Sequence, residues 1–135
     1  MILIPDELRA RLLANGAAGQ ETDHFPVVKL FAPWGAATWI VTEMMEDGDT
    51  LFGLCDLGFG CPELGTVSLA EIESIDGPFG LRIERDLHFR PRFPLSVYVE
   101  TARLATGVTE SEALLRQTAA RLGIPLSSPE QGDAP

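Results

Sequence analysis

The sequence predicts an α+β fold: a mainly antiparallel sheet of four or five strands packed by three or four helices. Three strand-like runs carry this reading: residues 24–31 (HFPVVKLF), 37–44 (ATWIVTEM) and 51–57 (LFGLCDL). Only short turn segments join them, which suggests an antiparallel meander. Helix starts and stops flank these runs on both sides.

Each element has a local justification. Pro5 suits a first helical position, and Asp6 and Glu7 favour the positive end of a helix dipole. Leu8 and Leu12 share a face of this first helix, and Asn15-Gly16 predicts its stop. Pro26 places the first strand at an edge or confines the proline to the strand's first residues. In the second strand, alternation sets Trp39, Val41 and Glu43 against Thr38, Ile40, Thr42 and Met44. In the third, Phe52, Leu54 and Asp56 share a face, and residues 65–68 add a short fourth strand. Ser68 and Glu71 form a capping box for a helix to about Ile75. Residues 81–89 (LRIERDLHF) alternate as a further strand. Pro94 opens a third helix, closed by Gly107. A second capping box, Thr109 to Glu112, starts a fourth helix running to Leu122, whose less polar side is Leu114, Leu115, Thr118 and Leu122. Residues 1–126 read as a single domain and residues 127–135 as a disordered tail.

Bulk properties narrow the function classes. A length of 135 residues, 45% hydrophobic and 22% charged, fits one globular domain with a real core. The formal net charge of −10 disfavours binding to duplex nucleic acid through its phosphates. It is compatible with docking to a basic partner surface. No apolar run is long enough to span a membrane, and the opening residues lack a signal-peptide pattern. Two cysteines without a framework spacing make no case for secretion, so a cytoplasmic location is expected.

The densest unusual chemistry lies in residues 51–65, LFGLCDLGFGCPELG. Asp56, Gly58, Gly60 and Glu63 form a candidate functional surface, with the two carboxylates on either side of a glycine turn and able to face each other. Asp56 has two readings: a cap for backbone N–H groups of the turn, or a ligand-binding or acid–base group. The glycines match no phosphate motif, and Cys55 and Cys61 match no zinc spacing. A Cys–His pair between either cysteine and His88 is a weaker nucleophilic reading. Glu84, Asp86 and His88 complete the candidate surface. Their spacing places them on one strand face, where they are weak candidates for a divalent metal. The competing reading is a solvated face paired with nearby arginines. No cofactor is otherwise expected. His24 reads as a surface or strand-start residue.

Taken together, LIPDELRARLLANG, HFPVVKLF, ATWIVTE, LFGLCDLGFGCPELG, VSLAEIESI and IERDLHFRP resemble the bacterial domain-of-unknown-function family numbered twenty-nine fifty-eight. The resemblance covers about residues 3–105 and leaves the helix at 110–122 as an addition. It implies a small cytoplasmic accessory protein associated with plasmids and other mobile elements, in element maintenance or defence evasion. It supplies no reaction and no catalytic residues. The expected function is therefore a protein-binding module. The alternatives are a metal-dependent hydrolase or nuclease-like enzyme using Asp56, Glu63, Asp86 and His88, and an acidic inhibitor that mimics DNA.

Overall fold

The computed structural model describes residues 1–19 and 21–125. Its centre is a five-stranded sheet in the order β4-β3-β2-β1-β5, with every pairing antiparallel. The strands are β1 (Val28–Phe31), β2 (Thr38–Met44), β3 (Thr50–Asp56), β4 (Glu63–Ser68) and the two-residue β5 (Glu84–Arg85). The helices are α1 (Asp6–Ala17), α2 (Leu69–Glu73), α3 (Leu95–Ala105) and α4 (Glu112–Arg121), with a 3-10 turn at Pro78–Gly80. The predicted α+β class, strand number and helix number match this architecture.

Both faces of the sheet are covered. On one face, Leu12 of α1 and Ile72 of α2 pack with Leu30, Trp39, Val41, Met44 and Leu51. On the other, Val97 and Tyr98 of α3 and Leu115 and Ala119 of α4 pack with Ile40 and Leu54. Each large apolar side chain fully buried here contributes about 1.5–3 kcal/mol. Helix α4 thus supplies core rather than decoration. Its buried side is Leu115, Thr118 and Ala119, while Leu114 and Leu122 are exposed. The cap is Ser111, whose hydroxyl accepts from Leu114 N, so the start falls two residues later than the Thr109 box implies.

Two departures from simple alternation matter. The register of β2 against β3 shifts between Val41 and Glu43. Such a bulge sets two residues against one and re-aims the side chains beyond it. Val41 and Met44 therefore share the α1 face, and Glu43 pairs with Phe52 and points to the α3 face. The predicted grouping of Glu43 with Trp39 and Val41 is corrected by this extra residue. The second departure is the predicted strand over residues 81–89, of which only β5 forms. The Asp86 carboxylate accepts the His88 N–H at 2.8 Å and turns the chain out of the sheet. Arg85 instead anchors the N-terminal segment, donating to the carbonyls of Ile2 at 2.9 Å and Leu3 at 2.8 Å.

Helix α1 runs through the predicted Asn15-Gly16 stop. These residues are a contact and not a cap. Asn15 donates its side-chain amide to the Thr42 carbonyl at 2.9 Å. A Cβ on Gly16 would lie 2.2 Å from the Met44 carbonyl oxygen. Glycine lets α1 approach the bulged strand closely. Replacing a mid-helix glycine by alanine ordinarily stabilises by about 0.5–1 kcal/mol. Here the overlap is with backbone, which has little room to yield. Gly16→Ala is expected to reverse the sign and destabilise by about 1–3 kcal/mol in urea unfolding; a stabilised variant would show that the contact is loose.

Candidate functional site

The glycine turn is held by Asp56, which is buried at the end of β3. Its Oδ1 accepts the Gly58 N–H at 2.8 Å, and its Oδ2 accepts the Val108 N–H at 2.9 Å. One carboxylate thus ties the turn after β3 to the connection between α3 and α4. Gly58 has φ of +90°, and a Cβ there would lie 2.9 Å from Cβ of Ala36, so both backbone and space demand glycine. Gly60, at φ +82°, faces open space. The capping reading of Asp56 describes this geometry.

Glu63 opens β4 and pairs with Cys55. Side chains of adjacent strand residues point to opposite faces. Cys55 and Glu63 therefore lie on the α1 face, and Asp56 on the α3 face. The expectation that the two carboxylates face each other is corrected by this register. Glu63 instead borders a groove of about 420 Å³ with Trp39, Cys55, Phe59 and Val67. Burial pushes the Cys55 thiol above its ordinary pKa, which opposes thiolate formation. Cys61 is exposed.

The Glu84, Asp86 and His88 set is broken by the turn after β5. Glu84 pairs with Phe31, Phe31 with Thr38, and Thr38 with Asp56. Three strand spacings, about 14 Å, thus separate the backbones of Glu84 and Asp56. Asp86 belongs to an ion cluster: Lys29 Nζ lies 3.3 Å from its Oδ2 and 2.5 Å from Glu110 Oε2. Burial works against ionisation of Asp86, yet the His88 N–H and the Lys29 ammonium outweigh it and hold the carboxyl below its ordinary range. Burial likewise pulls Lys29 down, and Glu110 and Asp86 outweigh it to raise its pKa. His88 is exposed beyond this cluster. Among the described residues, no group of three or more His, Cys, Asp and Glu side chains is placed to hold a metal ion.

A different pair carries unsatisfied chemistry. The bulge turns Glu43 into the layer beneath α3, where it is 3% exposed. Its Oε1 and Nε2 of His24 are buried without a hydrogen-bond partner among the described residues. Both residues line a cavity of about 200 Å³, with Phe52, Leu64, Leu95 and Val99 as its apolar wall. The His24 carbonyl accepts the Leu95 N–H at 2.9 Å, and Asp23 accepts both the backbone and hydroxyl protons of Ser96. The segment before β1 is thereby pinned to the start of α3, which fixes the imidazole against the cavity.

Residues 3–109 match the profile of a family described as a protein of unknown function, DUF2958. The chain belongs to the DUF2958 family. No curated protein and no solved structure matches it. The stretch shared with DUF2958 contains the Asp56–Val108 tie and the His24–Glu43 pair, and it ends before α4.

Burial pushes the Glu43 carboxyl up, against the opposing pull of His24 and Thr42. The folded chain therefore holds this proton more tightly than the unfolded chain does. The contribution to stability is fully present below the unfolded pKa and is lost as pH rises through the folded one. One signal for Glu43 was visible in the sequence: a charge in phase with an apolar strand face. His24 offered no comparable signal.

The Asp56 tie is tested by Asp56→Asn. The amide nitrogen cannot accept, so either the Gly58 or the Val108 N–H loses its partner. Urea unfolding is expected to show a loss of about 1–3 kcal/mol. A loss within experimental error of zero would show that the carboxylate is not the link between β3 and the α3–α4 connection.

Proposed function

We propose that this DUF2958 chain is a protein-binding module that takes an extended segment of a partner along the outer edge of β4. The observation that carries this reading is an open sheet edge beside an apolar groove. Among the described residues, β4 pairs only with β3. An edge strand presents unpaired backbone N–H and C=O groups, and an added strand satisfies them. At the same end, Phe59 is 84% exposed, and Leu57 and Leu64 are exposed to a lesser degree. Within β4 the single charge is Glu63, which borders the groove. The partner segment that fits supplies one apolar side chain for the groove and a basic residue near Glu63. The net charge of −10 favours the same basic chemistry.

The proposed setting is a cytoplasmic accessory role in mobile-element maintenance or defence evasion, which the family resemblance supports. The DNA-mimic alternative lacks comparable support. Five of the ten basic residues, Lys29, Arg82, Arg92, Arg103 and Arg116, stand in ion pairs with acids. That mixing runs against one continuous acidic face.

The test is affinity capture from a bacterium that carries the protein, followed by amide hydrogen exchange on the purified complex. Exchange at residues 63–68 is expected to slow on binding. Phe59→Ser is expected to weaken the complex at least tenfold, as loss of an aromatic anchor does. A complex that protects α3 and α4 and leaves β4 unprotected contradicts the proposal, as does capture of no partner.

A further inference from the structure

The cavity under the start of α3 shares only Leu64 with the β4 groove, and the protein-binding reading uses neither Glu43 nor His24. Two of its lining atoms, Glu43 Oε1 and His24 Nε2, are buried and unpartnered among the described residues. A buried acceptor left unmade is costly, so groups of this kind are normally satisfied by something. Glu43 and His24 do not form a salt bridge or hydrogen bond with each other, yet both border the same space of about 200 Å³.

The chemistry of the walls selects the ligand. An ionised carboxylate only accepts hydrogen bonds, and an imidazole accepts through Nε2 when its single proton sits on Nδ1, the form that the proposed site requires. A group that serves both must donate at least twice. No Lys or Arg lines the cavity, whereas Glu21, Asp23 and Glu43 do. Asp23 accepts from the neutral Ser96, which leaves its carboxylate to act with Glu21 and Glu43 in setting the sign of the field. An anion is disfavoured there, and a cation is drawn in. Phe52, Leu64, Leu95 and Val99 offer the apolar surface that a short hydrocarbon stem needs. We infer that this cavity is a binding site for a primary ammonium group on a short alkyl stem, with Glu43 and His24 accepting its N–H protons.

A free alkylamine and a lysine side chain carried by a protein share this chemistry. The experiment uses the full chain, titrated near neutral pH with n-butylammonium, with Nα-acetyl-lysine methylamide and with n-butanol, and monitored by NMR. Saturable one-to-one binding of n-butylammonium is expected, with shifts at the Glu43 carboxyl carbon and the His24 ring. Equal binding of the lysine derivative points to a protein-borne amine, and its exclusion points to a free one. Glu43→Gln is expected to weaken n-butylammonium at least tenfold, the scale of a hydrogen bond to a charged group. n-Butanol is expected to bind more weakly by a similar factor. Should Glu43→Gln fail to fold, the wild-type shifts decide the matter alone. The inference is overturned by the absence of saturable binding, by binding that leaves Glu43 and His24 unshifted, or by equal affinity for n-butanol.

Discussion

One extra residue in β2, Thr42, governs what each face of the sheet meets. Without the shift between Val41 and Glu43, strict alternation would send Met44 to the α3 side and Glu43 to the α1 core. With it, Met44 joins the α1 core and Glu43 turns beneath α3. The same irregularity is where α1 docks. Asn15 holds the Thr42 carbonyl, and Gly16 lies against the Met44 carbonyl. A bulge disrupts the ladder locally, and here a side chain from the neighbouring helix satisfies the carbonyl of the buried Thr42. The close docking of α1 and the burial of a carboxylate are thus two consequences of one backbone feature.

The second organising contact is Asp56, at the far end of β3. By accepting from both Gly58 and Val108, it couples the glycine turn to the connection that leads into α4. The family match ends at residue 109, yet α4 places Leu115 and Ala119 in the same core as Ile40 and Leu54. Glu110 and Glu112, just beyond the matched stretch, pair with Lys29 and Arg92 within it. The C-terminal helix is therefore integrated by packing and by charge. The open edge of β4 and the Phe59 turn lie at the end of the sheet that Asp56 organises, which makes Asp56 a support for the proposed binding surface and not part of it.

Much of the fold was legible. Short turns between apolar runs gave the meander, Ser68 capped α2 as its pattern implied, and Phe52, Leu54 and Asp56 share a face as alternation requires. The site was less legible, for physical reasons. ATWIVTEM continues its apolar pattern through the bulge, so no residue announces the register shift. Residues 81–89 alternate convincingly, but the Asp86 side chain captures the His88 amide and ends the strand, dispersing the predicted Glu84, Asp86 and His88 row. Asn15-Gly16 reads as a stop until a second element arrives against it. The docking of α1 is a long-range contact that local patterning cannot encode, whereas the Asp86–His88 capture is local and is masked by the alternation around it. The expected tail at 127–135 lies outside the described residues.

Burial of the Glu43 carboxyl beside His24 is the consequence of the bulge most open to direct test. The measurement is a pH titration of that carboxyl carbon by NMR, in the full chain with no added ligand. A midpoint above that of glutamate in a short unstructured peptide is expected, because burial disfavours the charged form and neighbouring groups only partly offset it. A midpoint at or below the peptide value would contradict the bulged register, since the carboxylate would then be solvated or fully paired, and neither that register nor the unpartnered cavity would stand as described.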